Sequence, residues 1–445
     1  MYFLLIRIAA LFGHKKARAL VEGQRETAVA MGSETAALWK GCIWIHAASA
    51  GEFEQARTLI ERIKDASLQD GASAYREKVV VTFFSPSGYK AHKGNELLDG
   101  VLYLPFATRR NARKFIEALQ PKMAIFVKYE FWPAYIRELK KRDIPIYSIS
   151  AIFRPKQYFF RWWGKGQLRL LRMFTNIYVQ DEASRRLLAE HAVHNASVAG
   201  DTRFDRVKQT ACAVRPSQSD CKTADAVRPA SPVRLQPIAE FAEGCERVLV
   251  AGSTWPEDEV LLAKYIGHLS FVIGDLPTKL ILVPHEINEA HLHFIFNLFK
   301  GRMVKYSSIE NGQWKMENGI VSRRNILRHA EVMVVDTIGL LSSIYQFGQV
   351  AYVGGGFGEG IHNTIEAAVY GVPVIFGPNY QRFREAQGLI DAGAGKSVRK
   401  YNELEEAVET AFAQHEDLGA KAAEYVESEL GATAKIYEQI FANGK

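Results

Sequence analysis

Short apolar runs alternate with amphipathic stretches through the first half of the chain. The runs are rich in β-branched residues, as buried strands are, and read CIWIHA, KVVVTFF, GVLYLPF, MAIFVKYE, IPIYSIS and NIYVQD. The stretches between them, such as FEQARTLIERIKD and NARKFIEALQP, repeat apolar residues at helical spacing. This alternation predicts βαβ units and a doubly wound parallel sheet.

A second series of apolar runs follows in the other half: RVLVAGS, TKLILVPHE, MVKYSS, EVMVVDT, VAYVGGG and VPVIFGP. The pattern therefore predicts an α/β protein with two doubly wound, Rossmann-like domains. Sheets of this kind bind ligands beyond the carboxyl ends of their strands. We expect the two domains to face a cleft, and we expect the chemistry in loops that follow strands.

The domain boundaries follow from changes in composition along the 445 residues. Residues 209–236 contain Pro216, Pro229 and Pro232 without a sustained apolar period, which is typical of a linker or an insertion. We assign residues 1–208 to a first domain and residues 237–425 to a second domain. The tail is helical by pattern, and residues 426–445 are expected to cross back and brace the first domain.

The first 20 residues predict a short helix with an apolar side, comprising Phe3, Leu4, Ile8, Leu11 and Phe12, and with Lys15, Lys16 and Arg18 near its end. The apolar run is too short to span a bilayer of about 30 Å. Such a helix lies in a membrane interface or packs on its own domain, and both interpretations stay open. The net charge of +7 favours anionic partners, namely phosphorylated substrates, an acidic membrane surface or nucleic acid.

Two loops of the first domain carry candidate chemistry. Glu52 falls in the first turn of the helix after CIWIHA, where a helix N-terminus favours an ionised carboxylate that can accept a proton. Glutamate in a first turn is also ordinary helix design, and Glu54 is an alternative. Lys128 and Glu130 follow MAIFV beside Phe131 and Trp132, which suit either sugar binding or the core.

Two loops of the second domain are candidates for anion binding. Ser253 and Thr254 follow RVLVA just before a helix, so they cap that helix, and its amides could also hold a phosphate. The segment from Gly354 to Gly360 has five glycines, which let backbone amides approach a phosphate. Glu366 on the next helix is suited to ribose hydroxyls. The late position of this loop disfavours a nicotinamide dehydrogenase.

Taken in order, the segments HAASAGEFEQ, TFFSPSGY, KYEFWP, AGSTWPEDE, VPHE and GEGIHNTIEAAVYGVPVIFGPN resemble the bacterial 3-deoxy-D-manno-octulosonic acid (Kdo) transferases, which have the GT-B glycosyltransferase fold. The resemblance implies inverting transfer of Kdo from CMP-Kdo to the lipid A precursor, a phosphorylated glucosamine disaccharide lipid. It also implies action at the cytoplasmic face of the inner membrane, as a peripheral or monotopic protein, in lipopolysaccharide biosynthesis. No metal or cofactor is implied.

The resemblance assigns roles to individual residues. Glu52, in the SxGE turn, is the general base. The acceptor-binding residues are Ser85, Ser87, Gly88, Lys128 and Glu130. The donor-binding residues are Gly252, Ser253, Thr254, Pro284, His285, Asp336, Thr337, Gly339, Gly355, Gly356, Asn363 and Glu366. His285 is also interpretable as a core histidine. In the interdomain motif, Arg203 keeps a positive charge where the family commonly has lysine.

Three other functions are compatible with parts of the pattern. A GT-B transferase that uses a UDP-sugar and a nucleotide-sugar epimerase share the expected fold. A basic nucleic-acid-binding protein is suggested by the isoelectric point near 9.0, but no binding motif supports it. We therefore expect CMP-Kdo, the lipid acceptor and the inner-membrane surface as partners, and no nucleic acid.

Overall fold

The structure is a computed structural model that describes residues 2–69, 77–214, 232–269, 278–310 and 323–442. Contacts between residues divide the chain into two compact units. Unit 1 comprises Met1–Arg206 together with Glu429–Lys445, and unit 2 comprises Val207–Ser428. Helix α10 contains the boundary between them.

Unit 1 is built on a parallel sheet of seven strands in the order β3-β2-β1-β4-β5-β6-β7. Its central strands are apolar and fully buried because helices cover both faces. The order reverses between β1 and β4, so the loops after these strands border the crevice where such sheets bind ligands. The strands are β1 Ile43–His46, β2 Val79–Phe83, β3 Gly100–Tyr103, β4 Met123–Val127, β5 Ile146–Ala151, β6 Asn176–Val179 and β7 Ala196–Val198.

Unit 2 repeats this plan with the order β10-β11-β9-β8-β12-β13-β14, again wholly parallel. The reversal lies between β8 and β12, which places the loops after these two strands at the corresponding crevice of unit 2. The strands are β8 Arg247–Thr254, β9 Thr278–Pro284, β10 Met303–Lys305, β11 Val332–Val334, β12 Val350–Val353, β13 Val374–Phe376 and β14 Gly395–Ser397.

Helices connect the strands throughout. They are α1 Tyr2–Leu11, α2 Lys15–Met31, α3 Thr35–Leu38, α4 Ala50–Gln69, α5 Pro86–His92, α6 Arg109–Leu119, α7 Pro133–Lys141, α8 Lys165–Leu171, α9 Glu182–Glu190, α10 Thr202–Val214, α11 Pro232–Ala242, α12 Pro256–Leu269, α13 Glu289–Leu298, α14 Tyr306–Glu310, α15 Arg323–His329, α16 Leu341–Ile344, α17 Ile365–Ala368, α18 Arg384–Asp391, α19 Tyr401–Ala413, α20 His415–Ser428 and α21 Ala432–Tyr437. Short 3₁₀ turns cover Tyr158–Phe160, Trp162–Gly164 and Tyr345–Phe347, and a π-helical turn covers Glu438–Ala442.

All twelve predicted strands are present, and the two-sheet α/β architecture is confirmed. Strands β7 and β14 were not predicted. Each is three residues long, lies at a sheet edge and is not fully buried, so neither has the apolar run that marks the others.

The end of the chain packs on unit 1, as expected for a C-terminal brace. Ile436 and Ile440 belong to the core beneath α4. Thr433 Oγ1 lies 2.8 Å from Thr58 Oγ1 of that helix, and the carboxylate of Asp205 accepts hydrogen bonds from the amides of Gly431 and Thr433, both at 2.7 Å. Helices α19 and α20 belong to unit 2.

Two expected boundaries differ in the structure. Helices α10 and α11 extend into both ends of the expected linker 209–236, and its residues 215–231 lie outside the described residues. The expected N-terminal helix 1–20 is instead two helices, because Gly13, with φ of +90°, ends the first one. Leu5, Ile8, Leu11 and Phe12 remain 40–88% exposed. Within the described ranges, no helix combines the length and hydrophobicity that a membrane span requires.

Candidate active site

The loop from β1 to α4 holds Glu52 in a fixed position at the start of α4. Its Oε2 accepts a hydrogen bond of 2.6 Å from the amide of Ala48, and its own amide donates to Ser49 Oγ at 3.4 Å. The side chain therefore folds back over the amides that precede the helix. Gly51 is exposed, and a Cβ at this position would have nothing within 4 Å, so close packing does not explain this glycine.

The environment of Glu52 favours its protonated form more than an ordinary helix start does. Burial raises the pKa of Glu52, and the negative charge of Glu130 raises it further. The Ala48 amide, Lys128 and His46 act in the opposite direction without cancelling the effect. Desolvation and the charge of Glu130 thus outweigh the hydrogen bond from the Ala48 amide, which is the contribution of the helix start that favours the ionised form. A raised pKa improves a carboxylate as a general base.

Glu130, in the loop after β4, is held from two sides. Its Oε2 accepts a hydrogen bond of 2.7 Å from Trp132 Nε1. The same oxygen lies 3.2 Å from Nε2 of His46, which is the buried last residue of β1. His46 Nδ1 lies 3.0 Å from the carbonyl oxygen of Thr82 and 2.9 Å from its hydroxyl, contacts that orient the imidazole ring. His46 was not predicted as a site residue, and Trp132 was left open between sugar binding and the core. The sequence feature that could have indicated His46 is a histidine at the end of an otherwise apolar strand.

Lys128 takes a backbone conformation that is unusual for a residue with a side chain. Its φ is +56°, directly after β4, and its amide donates to the Ile149 carbonyl at 2.9 Å. Its charge lowers the pKa of both Glu52 and Asp201, so the ammonium group acts on both carboxylates. Backbone strain of this kind is found where a side chain must be aimed at a site.

The Ser85–Gly88 turn lies against the Glu52 loop. The amide of Ser85 donates to the Ala48 carbonyl at 2.8 Å, and Ser85 Oγ accepts from the Gly88 amide at 3.0 Å. A Cβ at Gly88 would lie 2.6 Å from the Phe83 ring, so this glycine is needed for packing. Ser87 is exposed beside Ser85, with 3.2 Å between the hydroxyls. The two hydroxyls are thus the groups of this turn that suit a ligand.

Arg203, expected to supply a positive charge, is engaged by its neighbour Asp201. The guanidinium donates to Asp201 Oδ2 at 2.9 Å through Nε and at 2.7 Å through a terminal nitrogen. Burial alone would raise the pKa of Asp201, but Arg203 holds it below its usual value. Gln55 Nε2 donates to the same carboxylate at 3.3 Å. Through the hydrogen bond from Gln55, the Arg203–Asp201 ion pair links the start of α10 to α4 within unit 1.

In unit 2, the end of β8 turns sharply at Ser253, whose φ is +54°. Thr254 is buried, and its hydroxyl donates to Glu259 Oε1 at 2.8 Å. Asp258, 1% exposed, accepts from the amides of Trp255 (3.0 Å) and Gly355 (2.9 Å). The start of α12 is therefore capped by its own carboxylate, and these amides are already paired. Asp258 was missed by the sequence analysis because its partner Gly355 is distant in the chain.

Three rings stack beside this turn. The ring centroids of Trp255 and His285 are 4.8 Å apart, and those of His285 and His362 are 4.4 Å apart. Trp255 Nε1 donates to His362 Nε2 at 3.4 Å. Burial, aided by the charge of His285, lowers the pKa of His362 to about 4, so this ring is neutral at pH 7. His285 is exposed, which excludes the core-histidine interpretation.

The glycine-rich loop after β12 is shaped by close backbone contacts. Gly355 has φ of +88°, and a Cβ at Gly356 would lie 2.5 Å from the Cα of Gly377. The Gly356 carbonyl accepts from the Asn379 amide at 2.9 Å. These glycines are thus required by packing and backbone conformation, whatever ligand the loop binds. Gly252 is similarly constrained, because its Cβ would lie 2.0 Å from the Tyr345 hydroxyl.

Unused hydrogen-bonding capacity is found just after this loop. Asn363 Nδ2 donates to Glu366 Oε1 at 3.0 Å, which fixes both side chains. Asn363 Oδ1 and Thr364 Oγ1 are buried and have no hydrogen-bond partner among the described residues. Buried polar atoms without partners are unusual in a folded protein, which makes these two oxygens candidates for binding a ligand or an ordered water.

The remaining predicted donor residues lie after β9 and β11. Asp336 accepts from the amide and the hydroxyl of Ser307, at 2.9 and 2.5 Å, so its carboxylate caps α14. Thr337 Oγ1 is buried without a partner in the described part of the chain. Gly339 has φ of +88° in open surroundings, and Pro284 is the buried last residue of β9.

The structure thus brings some of the predicted residues together within each unit, whereas Asp336 contacts Ser307 instead of the other predicted donor residues. Unit 1 gathers Glu52, Lys128 and Glu130 at the ends of β1 and β4, and unit 2 gathers the Ser253 turn, the glycine loop and the Asn363–Glu366 pair. Within the described ranges, no group of three or more His, Cys, Asp or Glu side chains is arranged to hold a metal ion.

Part of the chain matches a known protein family. Residues 14–206, which include the whole Glu52 site up to Arg203, match the family described as 3-deoxy-D-manno-octulosonic-acid transferase (kdotransferase). A 3-deoxy-D-manno-octulosonic acid transferase of Aquifex aeolicus is 25% identical over 378 residues, covering 82% of this chain and 84% of that protein. One from Rickettsia felis is 24% identical over 375 residues, covering 82% and 70%.

Among solved structures, the UDP-GlcNAc 2-epimerase of Neisseria meningitidis bound to UDP-GlcNAc aligns with a TM-score of 0.58 and 14% identity, covering 90% of this chain and 100% of that one. At that identity the likeness shows the fold alone, and it agrees with the GT-B class. The chain is thus similar to the 3-deoxy-D-manno-octulosonic acid transferases, through the family match over residues 14–206 and through two relatives that each cover 82% of it, which indicates that it is a glycosyltransferase.

Proposed function

We propose that this protein transfers Kdo from CMP-Kdo to the lipid A precursor with inversion at the anomeric carbon, and that Glu52 is the general base. The observation that carries the proposal is the setting of Glu52. It is a half-buried carboxylate with a raised pKa, positioned by the Ala48 amide inside the segment that matches the family.

In the proposed reaction, the ionised carboxylate of Glu52 accepts the proton of an acceptor hydroxyl. The hydroxyl oxygen forms a bond to the anomeric carbon of Kdo while the bond from that carbon to the CMP phosphate oxygen breaks. Attack from the face opposite the leaving group inverts the configuration. One carboxylate is sufficient, and general-base assistance of this kind contributes about 10²–10⁴-fold to a rate.

The acceptor is proposed to bind at the loops around Glu52. The acceptor carries phosphate, for which the ammonium group of Lys128 is a suitable partner. The hydroxyls of Ser85 and Ser87 are suited to sugar hydroxyls. Glu130 is held by Trp132 and His46, so it can accept from the acceptor in a fixed orientation while its charge raises the pKa of Glu52.

The donor is proposed to bind to unit 2. The Asn363–Glu366 pair is suited to the ribose hydroxyls, and the unpartnered Asn363 Oδ1 and Thr364 Oγ1 support a ligand at this point. His285, exposed on its stack with Trp255 and His362, is suited to the phosphate or the carboxylate of the donor. Asp258 already accepts hydrogen bonds from the amides of Trp255 and Gly355. The phosphate is therefore proposed to bind to side chains and not to those amides. No metal or cofactor is included in the scheme.

The site of action is proposed to be the cytoplasmic face of the inner membrane, with the protein attached peripherally. The exposed apolar residues of α1, followed by Lys15 and Lys16, suit an interfacial helix on an anionic surface. Nucleic acid is not a proposed partner.

Product analysis tests this function. Purified protein is incubated with the lipid acceptor and either CMP-Kdo or UDP-GlcNAc, and the acceptor is weighed by mass spectrometry. We expect the mass to increase by one or more Kdo units with CMP-Kdo only. Transfer from UDP-GlcNAc, or conversion of UDP-GlcNAc to an epimer without transfer, would replace this proposal with the UDP-sugar transferase or the epimerase.

A further inference from the structure

Unit 1 contains a cavity of about 1040 Å³ that is separate from the residues assigned to catalysis. It lies between α2, the end of α1 and the segment from Pro105 to α6. Its volume is at the upper end of the range for small-molecule sites. Neither Glu52 nor any predicted acceptor-binding or donor-binding residue lines it.

Most of the surface that lines the cavity is apolar. Val21 and Met31 of α2 face Phe106 and Phe115 across it. The polar side chains in the wall already bond to the backbone. Gln24 donates to the Leu104 carbonyl at 2.7 Å and accepts from the Phe106 amide at 2.9 Å, Thr27 accepts from the Tyr103 amide at 2.9 Å, and Asn111 donates to the Phe106 carbonyl at 2.9 Å. Because Phe106 and Phe115 are only 4% and 2% exposed, an occupant meets mainly the aliphatic side chains of the wall, such as Val21 and Met31.

The position of α2 is fixed, so the cavity is a built feature of the fold. A Cβ at Gly23 would lie 2.1 Å from the Tyr103 ring, which shows how closely α2 packs on the sheet edge at this point. The Gln24 bonds hold the same turn of α2 to the chain after β3.

The mouth of the cavity is positively charged and borders exposed apolar surface. Arg18, Arg25 and Lys114 line it, against a single carboxylate, Glu22. All four are exposed. Leu11, which also lines the cavity, is 82% exposed. A cationic mouth over an apolar interior is complementary to an amphiphile with an anionic head and an alkyl chain.

We propose that this cavity binds an acyl chain of an anionic membrane phospholipid, with the phosphate at Arg18, Arg25 and Lys114. Because neither Glu52 nor Glu130 lines the cavity, we favour a bilayer lipid over the reacting acceptor as its occupant. The exposed apolar side of α1 lies next to the mouth, where a bilayer surface could present such a lipid. This site is independent of the transfer reaction, so it is tested by binding.

The test uses octyl, decyl and dodecyl phosphate below their micelle concentrations, with the full-length protein and calorimetric titration. Each buried methylene strengthens binding by up to about fourfold, so we expect at least a tenfold lower Kd for dodecyl than for octyl phosphate. Lysophosphatidylglycerol should displace dodecyl phosphate. Equal affinity for all three chains, no binding, or displacement by the lipid A precursor alone would overturn the proposal.

Variants locate the site. Ala28→Trp fills the cavity and should weaken dodecyl phosphate binding at least tenfold, whereas Val29→Trp, on a residue that is 73% exposed and outside the lining, should not. Arg25→Glu should weaken binding of dodecyl phosphate but not of a neutral dodecyl glycoside, with Lys40→Glu, at an exposed residue outside the lining, as the control. Equal effects of a variant and its control would also overturn the proposal. Glu52→Gln protein should bind the probe as native protein does, which separates this result from the fate of the proposed transfer reaction.

Discussion

His46 Nε2 lies 3.2 Å from Glu130 Oε2, across the ends of the adjacent strands β1 and β4. This contact and the bond from Trp132 fix the Glu130 carboxylate where its charge acts on Glu52. The basicity of Glu52 is therefore set by residues from a neighbouring strand as well as by its own burial. Two pH profiles test this relationship in opposite directions.

Glu130→Gln should move the acid limb of kcat/KM to lower pH. The negative charge of Glu130 raises the pKa of Glu52, so its removal lowers that pKa and leaves Glu52 ionised at lower pH. The absolute rate should also fall, because Glu130 is a proposed acceptor ligand, but the position of the limb is the informative quantity. Glu96→Gln, at an exposed site, is the control and should leave the profile in place. An unmoved limb in Glu130→Gln would argue against the coupling.

Lys128→Met should move the same limb to higher pH. The ammonium group of Lys128 lowers the pKa of Glu52, so its loss makes Glu52 harder to ionise. KM for the phosphorylated acceptor should rise as well, by about tenfold or more, since a charge-assisted contact is lost. Lys140→Met, on the exposed side of α7, serves as the matched variant. A shift to lower pH would contradict the assigned role of Lys128.

Glu52→Gln should stabilise the protein at neutral pH. Because the folded-state pKa of Glu52 is raised, the folded protein binds more protons than the unfolded chain between the two pKa values, and stability falls as pH rises through that window. Glutamine keeps an oxygen for the Ala48 amide but carries no charge. Thermal unfolding of variant and native protein should coincide near pH 4 and separate towards pH 8, with the variant higher. A variant that is less stable at pH 8 would contradict the raised pKa.

Gly356→Ala should destabilise the protein by about 1–3 kcal/mol, since its Cβ would lie 2.5 Å from the Cα of Gly377 and the backbone must shift. Gly358→Ala provides the comparison in the same loop, because the nearest atom to its Cβ is 3.7 Å away. Denaturant unfolding measures both. Similar stabilities for the two variants would show that the loop does not need Gly356 for packing.

The sequence predicts most of the architecture because buried parallel strands leave continuous apolar runs, as in β1 and β4. It does not predict β7 and β14, whose edge positions require no such run. The location of Glu52 is predictable from its place after a strand, but its raised pKa is not, because that depends on Glu130, 78 positions further along the chain. The hydrogen bond from the Gly355 amide to Asp258 is likewise not predictable, because the two residues are far apart in the chain.

A single-turnover assay of Glu52→Gln tests whether Glu52 is the general base. Enzyme in excess is mixed with CMP-Kdo and the lipid acceptor, and product is followed by mass, while CMP binding is measured separately by calorimetry. We expect the rate of transfer to fall by about 10²–10⁴-fold with CMP affinity unchanged. Glu54→Gln, whose carboxylate pairs with Arg206 at 2.7 Å, should transfer near the native rate. Native-rate transfer by Glu52→Gln would contradict the proposed role of Glu52.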